Sequence, residues 1–326
     1  MKKILSLLLA LVLVFSLVAC GNNGDTKDES KGEDTKTEES KDYTTAEESK
    51  DDTAAEESKD DAAGGKAEGE INVISREDGS GTRSAFVEIV GVVDGDGNDM
   101  TAQSAVIQDG TGKVIETVSK DKASIGYASL GSVEGNDSVK ALKVNGVEPT
   151  PDTVLDGSYS IQRPLNIAYK DGSLSEAAQN FIDFMMSKEG QEVAVEKGFV
   201  KSDPNAKAFE KKDVKGTVKV SGSTSVGPLV QAAAEEYKKI NPNVEIVVNQ
   251  TGSSAGMKDA MADGVVDFGM ASRELKDEEK AVLKPLVIAK DGIAVIVSPD
   301  NPMEDISLDS VKGIYLGEIT DWKDVK

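Results

Sequence analysis

The residues with the most chemistry to offer stand close together near position 80. They are Arg76, Asp78, Gly79, Ser80, Gly81 and Thr82, within the stretch ISREDGSGTRSAF (74–86). An arginine presents a planar fork of donors that matches an oxyanion. Serine and threonine hydroxyls add donors, and glycines let backbone N–H groups come close to a ligand. Residues 71–74 read as a short apolar strand, and residues 80–91 place Phe86, Ile89 and Val90 on one helical face. The loop therefore lies between a strand and a helix start, where free N–H groups and the helix dipole favour negative charge. It suits an enzyme's phosphate cradle, a receptor for a free anion, or an ordinary capped turn.

The same design returns twice. A strand over 217–220 leads into SGSTSVG (221–227), then a helix with Leu229, Ala233, Tyr237 and Ile240 on one face. A strand over 244–248 leads into QTGSSAG (250–256), then a helix over 257–261. A fourth strand, 265–270, ends in Ala271, Ser272 and Arg273. One such loop is most simply a helix cap. Three in one chain, one of them carrying an arginine, favour an anion site.

Several chemistries are excluded or weakened. The chain has no histidine, which removes histidine-dependent acid–base catalysis, the usual triads and histidine-ligated metals. Gly112 and Lys113 lack a P-loop, because Ile107 stands where its first glycine belongs. The run from Gly252 to Gly256 fits a nucleophile elbow with Ser254 at its centre, but no histidine exists to activate it. With 59 acidic and 37 basic residues and few aromatics, the chain does not suit nucleic acid.

The remaining organisation reads from composition. Lys2 and Lys3 precede an apolar run over 4–18, the pattern of a secretory signal (1–20) too short to span a membrane. It ends Leu17, Val18, Ala19, Cys20, which resembles a bacterial lipobox; Cys20 would carry the lipid, palmitate included, and anchor the protein to the outer face of a Gram-positive membrane. Cys20 is the only cysteine, so no internal disulfide or cysteine metal site is expected. Residues 21–70 hold 18 acidic and 7 basic residues, half of the net charge of −22, and repeat a nine-residue unit (35–43, 44–52, 53–61). They lack the apolar residues for a core and read as a disordered tether of roughly 40 Å root-mean-square span. Residues 71–326 are long enough for two α/β lobes.

The motifs VSGSTSVGPL (220–229), QTGSSAG (250–256), DFGMASREL (267–275) and SREDGSGTRSAF (75–86) resemble the phosphate-binding lipoproteins of bacterial phosphate ABC transporters. So do SLDSVKGIYLGEITDWKDV (307–325), ASIGYASLGSV (123–133) and LSEAAQNFIDFMMSKEGQ (174–191). The resemblance implies a two-lobed α/β periplasmic-binding fold of type II, with a hinge and a central anion cleft. The motif order differs from the family's: the SREDGSGTR loop opens the body and ITDWKDVK closes it. This order predicts a circular permutation rejoined through 203–216, or else a piece of a rearranged gene.

By motif, the resemblance implies phosphate ligands at Thr224, Ser225, Ser253, Ser272, Arg76, Ser80, Gly81 and Thr82, with Asp78 orienting Arg76. Some relatives carry an aspartate where this chain has Ser272, and that aspartate accepts the proton of a protonated phosphate. The expected lobes are 71–163 with 299–326, and 164–298, with hinge crossings at 160–164 and 296–299. The implied protein is a monomer that needs no cofactor or metal, is not an enzyme, and hands phosphate to ABC permease subunits. A binder of sulfate or molybdate, or a surface or sensor protein of the same fold, are the alternatives.

Overall fold

A computed structural model describes residues 67–326. The signal, Cys20 and the repeats lie outside the described residues. The predicted end of the tether at 70 shifts slightly. Ala67 is already buried, Gly69 O accepts from Trp322 N at 2.9 Å, and Glu70 forms a bridge with Asp321. Thr320 O likewise accepts from Ile71 N at 2.9 Å. Residues 69–71 and 320–322 therefore lie side by side.

One ten-stranded sheet runs through the folded part. Its order is Val106–Gln108, Asn72–Arg76, Ser124–Ser129, Lys284–Val297, Gln162–Tyr169, Phe268–Ala271, Gly216–Gly222 and Val244–Gln250. Two short strands, Lys140–Ala141 and Val200–Lys201, flank the long one. That strand, Lys284–Val297, joins the two halves. Its first part pairs antiparallel with Gln162–Tyr169, as far as Gly292 opposite Gln162. From Ile293 opposite Ser129 it pairs instead with Ser124–Ser129. Seven consecutive residues from Gly292 to Ser298 are buried, the pattern of a strand covered on both faces.

Burial divides accordingly. One apolar core gathers side chains from residues 67–161 and 293–325, joined by Val200. The other half of the sheet is sandwiched. Phe268 and Met270 face a core with Phe181, Leu229 and Tyr237, while Ala271 faces a smaller cluster with Met257 and Leu283, the strand's period of two. Residues 293–297 were predicted to belong with 164–298; instead they pack in the first core, because the strand changes partner at Ile293 rather than near 296–299.

Helix ends follow local chemistry. Ser175, Ser187 and Ser307 cap the helices that begin after them, each accepting a backbone N–H three residues on. The helix predicted over 257–261 starts earlier, at Ser253–Met261, because Gly252, with φ 90°, turns the chain directly into it. In the predicted joint, 203–216, residues 203–215 have no regular element and are mostly exposed, and Gly216 already begins a strand. Phe209 is its inward anchor, edge-on to Phe184 at 5.3 Å.

Candidate functional site

The strand Asn72–Arg76 delivers Arg76 to the seam between the two halves, and its end is held from behind. Phe86 stacks on Tyr127 with ring centroids 4.0 Å apart and meets Tyr315 edge-on at 4.8 Å. The Tyr127 hydroxyl lies 2.9 Å from Ser75 Oγ, and Tyr315 Oη donates to Ile74 O at 3.1 Å. Burial pushes the Tyr127 phenol up to about 12, so it stays protonated. This aromatic group leaves Arg76 little freedom, and its side chain is only 2% exposed.

Arg76 is paired with Glu77. Nε donates to Oε2 and Nη2 to Oε1, both at 2.7 Å, a two-toothed fork. Burial alone would raise the Glu77 carboxyl; the Arg76 fork and the Gly110 N–H outweigh it and hold the group below the usual carboxylate range. Asp78 does not orient Arg76 as predicted. It is almost fully exposed and pairs with Arg83 at 3.1 Å, because the tight turn at Gly79 points it outward. Arg83 in turn donates to Arg76 O at 2.9 Å and to Asp99 at 2.6 Å.

Arg76's remaining donors reach the hydroxyls. Nη1 meets Thr111 Oγ1 at 3.2 Å and Thr82 Oγ1 at 3.5 Å, and Nη2 meets Thr224 Oγ1 at 3.1 Å. Thr82 Oγ1 lies 3.0 Å from Ser225 Oγ. Thr224 and Ser225 come from the second half of the sheet, in the loop before the helix Gly227–Ile240. Ser272, after the strand Phe268–Ala271, donates its N–H to Ser253 Oγ at 3.2 Å, and its own Oγ accepts from Ser223 at 2.9 Å. Gly81 packs so tightly on this pair that a Cβ there would overlap Ser253 and lie 2.9 Å from Ser272 Oγ.

Seven of the predicted residues thus converge: Arg76, Gly81, Thr82, Thr224, Ser225, Ser253 and Ser272. Ser80 is buried beside them, but its Oγ is used as the helix cap, accepting from Arg83 N at 3.3 Å. Thr111 was not predicted. It is buried, opens the helix Thr111–Ser119 after Gly110 (φ 86°), and touches Arg76, Thr224 and Ser225. Its signal is a fourth strand–glycine–hydroxyl–helix passage, GTG at 110–112, legible once a P-loop is set aside. Helix starts at Gly81, Thr111, Gly227 and Ser253 face one seam, and their dipoles favour an anion there.

Two other features frame the seam. Ser254 acts through its backbone, with N–H donating to Gly79 O at 3.1 Å across the halves. Its Oγ accepts from Arg273 at 3.3 Å, while Arg273 forks onto Glu279 at 2.7 and 2.8 Å. Arg163 lies beneath, bonding Asp291 Oδ2 at 2.9 Å and Ser272 O at 3.1 Å. Among the described residues no cluster of three or more acidic or cysteine side chains could hold a metal.

A family model described as a PBP superfamily domain matches residues 41–189 and 208–326. The phosphate-binding protein PstS 2 of Streptococcus agalactiae is 44% identical over 264 residues, 79% of this chain and 89% of the relative. A crystal structure of a phosphate ABC transporter's phosphate-binding protein from Streptococcus pneumoniae superposes with a TM-score of 0.64 at 44% identity, over 79% of this chain and all of that one. The phosphate-binding protein PstS of Staphylococcus haemolyticus matches over only 122 residues, 35% of this chain, at 43% identity. Sheet, seam and relatives agree: this chain belongs to the PBP superfamily, in its branch of PstS phosphate-binding proteins.

Proposed function

We propose that this protein is an extracytoplasmic receptor that captures inorganic phosphate between two lobes and delivers it to an ABC permease. The observation that carries this reading is the buried fork of Arg76 ringed by Thr82, Thr111, Thr224 and Ser225 from both halves of the sheet. The ligand set is Arg76, Ser80, Gly81, Thr82, Thr224, Ser225, Ser253 and Ser272, with Glu77 in the orienting role. The lobes are 67–161 with 293–326, and 162–292, hinged where the long strand changes partner. An acidic protein can hold an anion in this way because dipoles act at contact distance, whereas surface charges are screened over about 8 Å at physiological salt.

Lipidation at Cys20 would hold the receptor at the membrane, with residues 21–66 as its tether. Circular permutation relative to other family members is supported by two observations. Residues 69–71 and 320–322 are bonded neighbours, so a short connector would join them. A relative with the halves in the other order would align over only part of this chain, as the Staphylococcus relative does over 122 residues.

A chain beginning at Ala67 is expected to be monomeric and to bind phosphate at micromolar affinity or tighter, about −8 kcal/mol. Titration calorimetry checks this. Absence of heat with phosphate refutes the function, and aggregation or weakened binding relative to the full chain places residues before 67 in the fold.

A further inference from the structure

A buried ion pair lies where the long strand leaves one half for the other. Asp291 stands opposite Arg163 in the ladder, directly before Gly292, the last residue paired with Gln162–Tyr169. The next residue, Ile293, already pairs with Ser129. Both charged side chains are buried, 1% and 0% exposed. The bonds to the carboxylate all fall on one oxygen. Oδ2 accepts from Arg163 Nη2 at 2.9 Å, from Arg163 Nε at 3.2 Å and from Ser129 Oγ at 2.8 Å, while Oδ1 has no partner. Ser129 belongs to the other half. It precedes the helix Leu130–Val133, where a serine ordinarily caps, yet its Oγ makes no cap bond and is given to Asp291 instead.

The pair leads on to the anion site. Arg163 Nη1 donates to Ser272 O at 3.1 Å, and Asn166, on the same strand, donates to Arg273 O at 3.0 Å. These bonds hold the turn that carries Ser272, whose N–H meets Ser253 Oγ and whose Oγ meets Ser223. A chain of bonds thus runs from Ser129 through Asp291 and Arg163 to Ser272, from one half into the hydroxyl ring of the other. The guanidinium is rigid and planar, so a shift of Asp291 Oδ2 turns the Nη1 that holds Ser272. A buried pair of this kind adds little net stability, because desolvating two charges offsets their attraction.

We propose that Arg163 and Asp291 are positioning residues for the anion site, which carry the setting of the halves at the strand crossing to Ser272. Ser129 supplies the bond from the first half that aims Asp291, and Arg163 passes the aim to Ser272 without touching the anion. The inference rests on the phosphate-receptor reading and adds how the crossing is coupled to the site.

The test is a double-mutant cycle, read by phosphate calorimetry on the full chain up to millimolar phosphate, with Ser129→Ala, Ser272→Ala and the two together. Ser129→Ala leaves Asp291 paired with Arg163, and is expected to weaken phosphate binding about tenfold from outside the site. In the Ser272→Ala background the same change is expected to cost nothing further, because the hydroxyl it positions is gone. Arg163→Lys keeps a charge against Asp291 but cannot also span to Ser272 O, and is expected to follow the same pattern. Parent affinity in Ser129→Ala and Arg163→Lys overturns the proposal. So does a tenfold cost that persists undiminished beside Ser272→Ala, which would mark a general loosening of the crossing. Failure of the parent chain to bind phosphate is a separate result, and refutes the receptor reading itself.

Discussion

Arg76→Ala is expected to weaken phosphate binding by a hundredfold or more. The guanidinium is buried, and each charge-assisted bond it would give an anion contributes about 1.5–3 kcal/mol, so losing two costs at least two orders of magnitude. The loss is compounded, because Glu77 would keep its charge beside the site with both oxygens released. Adding Glu77→Gln to the alanine variant should therefore recover part of the affinity by removing that repulsion. Arg76→Lys should fall between, since it keeps the charge but not the fork. Calorimetry on the three variants separates these effects, and unchanged affinity in Arg76→Ala removes the residue from the site.

Gly81→Ala is expected to abolish tight binding with little cost to the unliganded fold. Alanine suits a helix better than glycine by about 0.5–1 kcal/mol, so the helix Gly81–Val90 itself would tolerate it. The new methyl, however, would overlap Ser253 and stand 2.9 Å from Ser272 Oγ, both on the opposite half. The halves would be held apart at the seam, and the hydroxyls of Thr224 and Ser225 could not reach Arg76 and Thr82 together. Expected are a loss of about a hundredfold or more in phosphate affinity, an unliganded melting temperature near that of the parent, and a larger radius of gyration with phosphate present. Normal binding would show that the two halves do not need this contact.

Much of the site is legible in the sequence because its loops obey a local rule. Glycine and hydroxyl residues between an apolar strand and a helix start have few other uses in such number, and Arg76, Thr82, Thr224, Ser225 and Ser253 all fall at passages of that kind, whereas Ser272, which ends a strand without one, is implied by the family resemblance alone. The Glu77-for-Asp78 exchange is not legible, since both are carboxylates within two positions of Arg76. Only the turn at Gly79 decides which of them faces inward. Thr111 is announced only by GTG at 110–112: its strand, Val106–Gln108, is short and its apolar residues are exposed, so hydrophobic pattern adds nothing to that signal. The lobe boundary at Ile293 is hidden because Lys284–Val297 is one unbroken strand, its apolar run interrupted only by Lys290, Asp291 and Gly292, and its change of partner is a long-range event.

That strand also shapes how the protein comes apart. Its backbone closes hydrogen bonds in both halves, and side chains from Ile288 to Val297 belong to both cores. Neither core can melt alone without unzipping the ladder that orders the other, so heating should give a single cooperative transition, with calorimetric and van't Hoff enthalpies equal. The amides of Lys284–Val297 should be among the last to exchange with solvent deuterium, at the free energy of global unfolding, while those of 203–215 exchange early. The receptor would then bend at the strand's crossing and yet denature as one body.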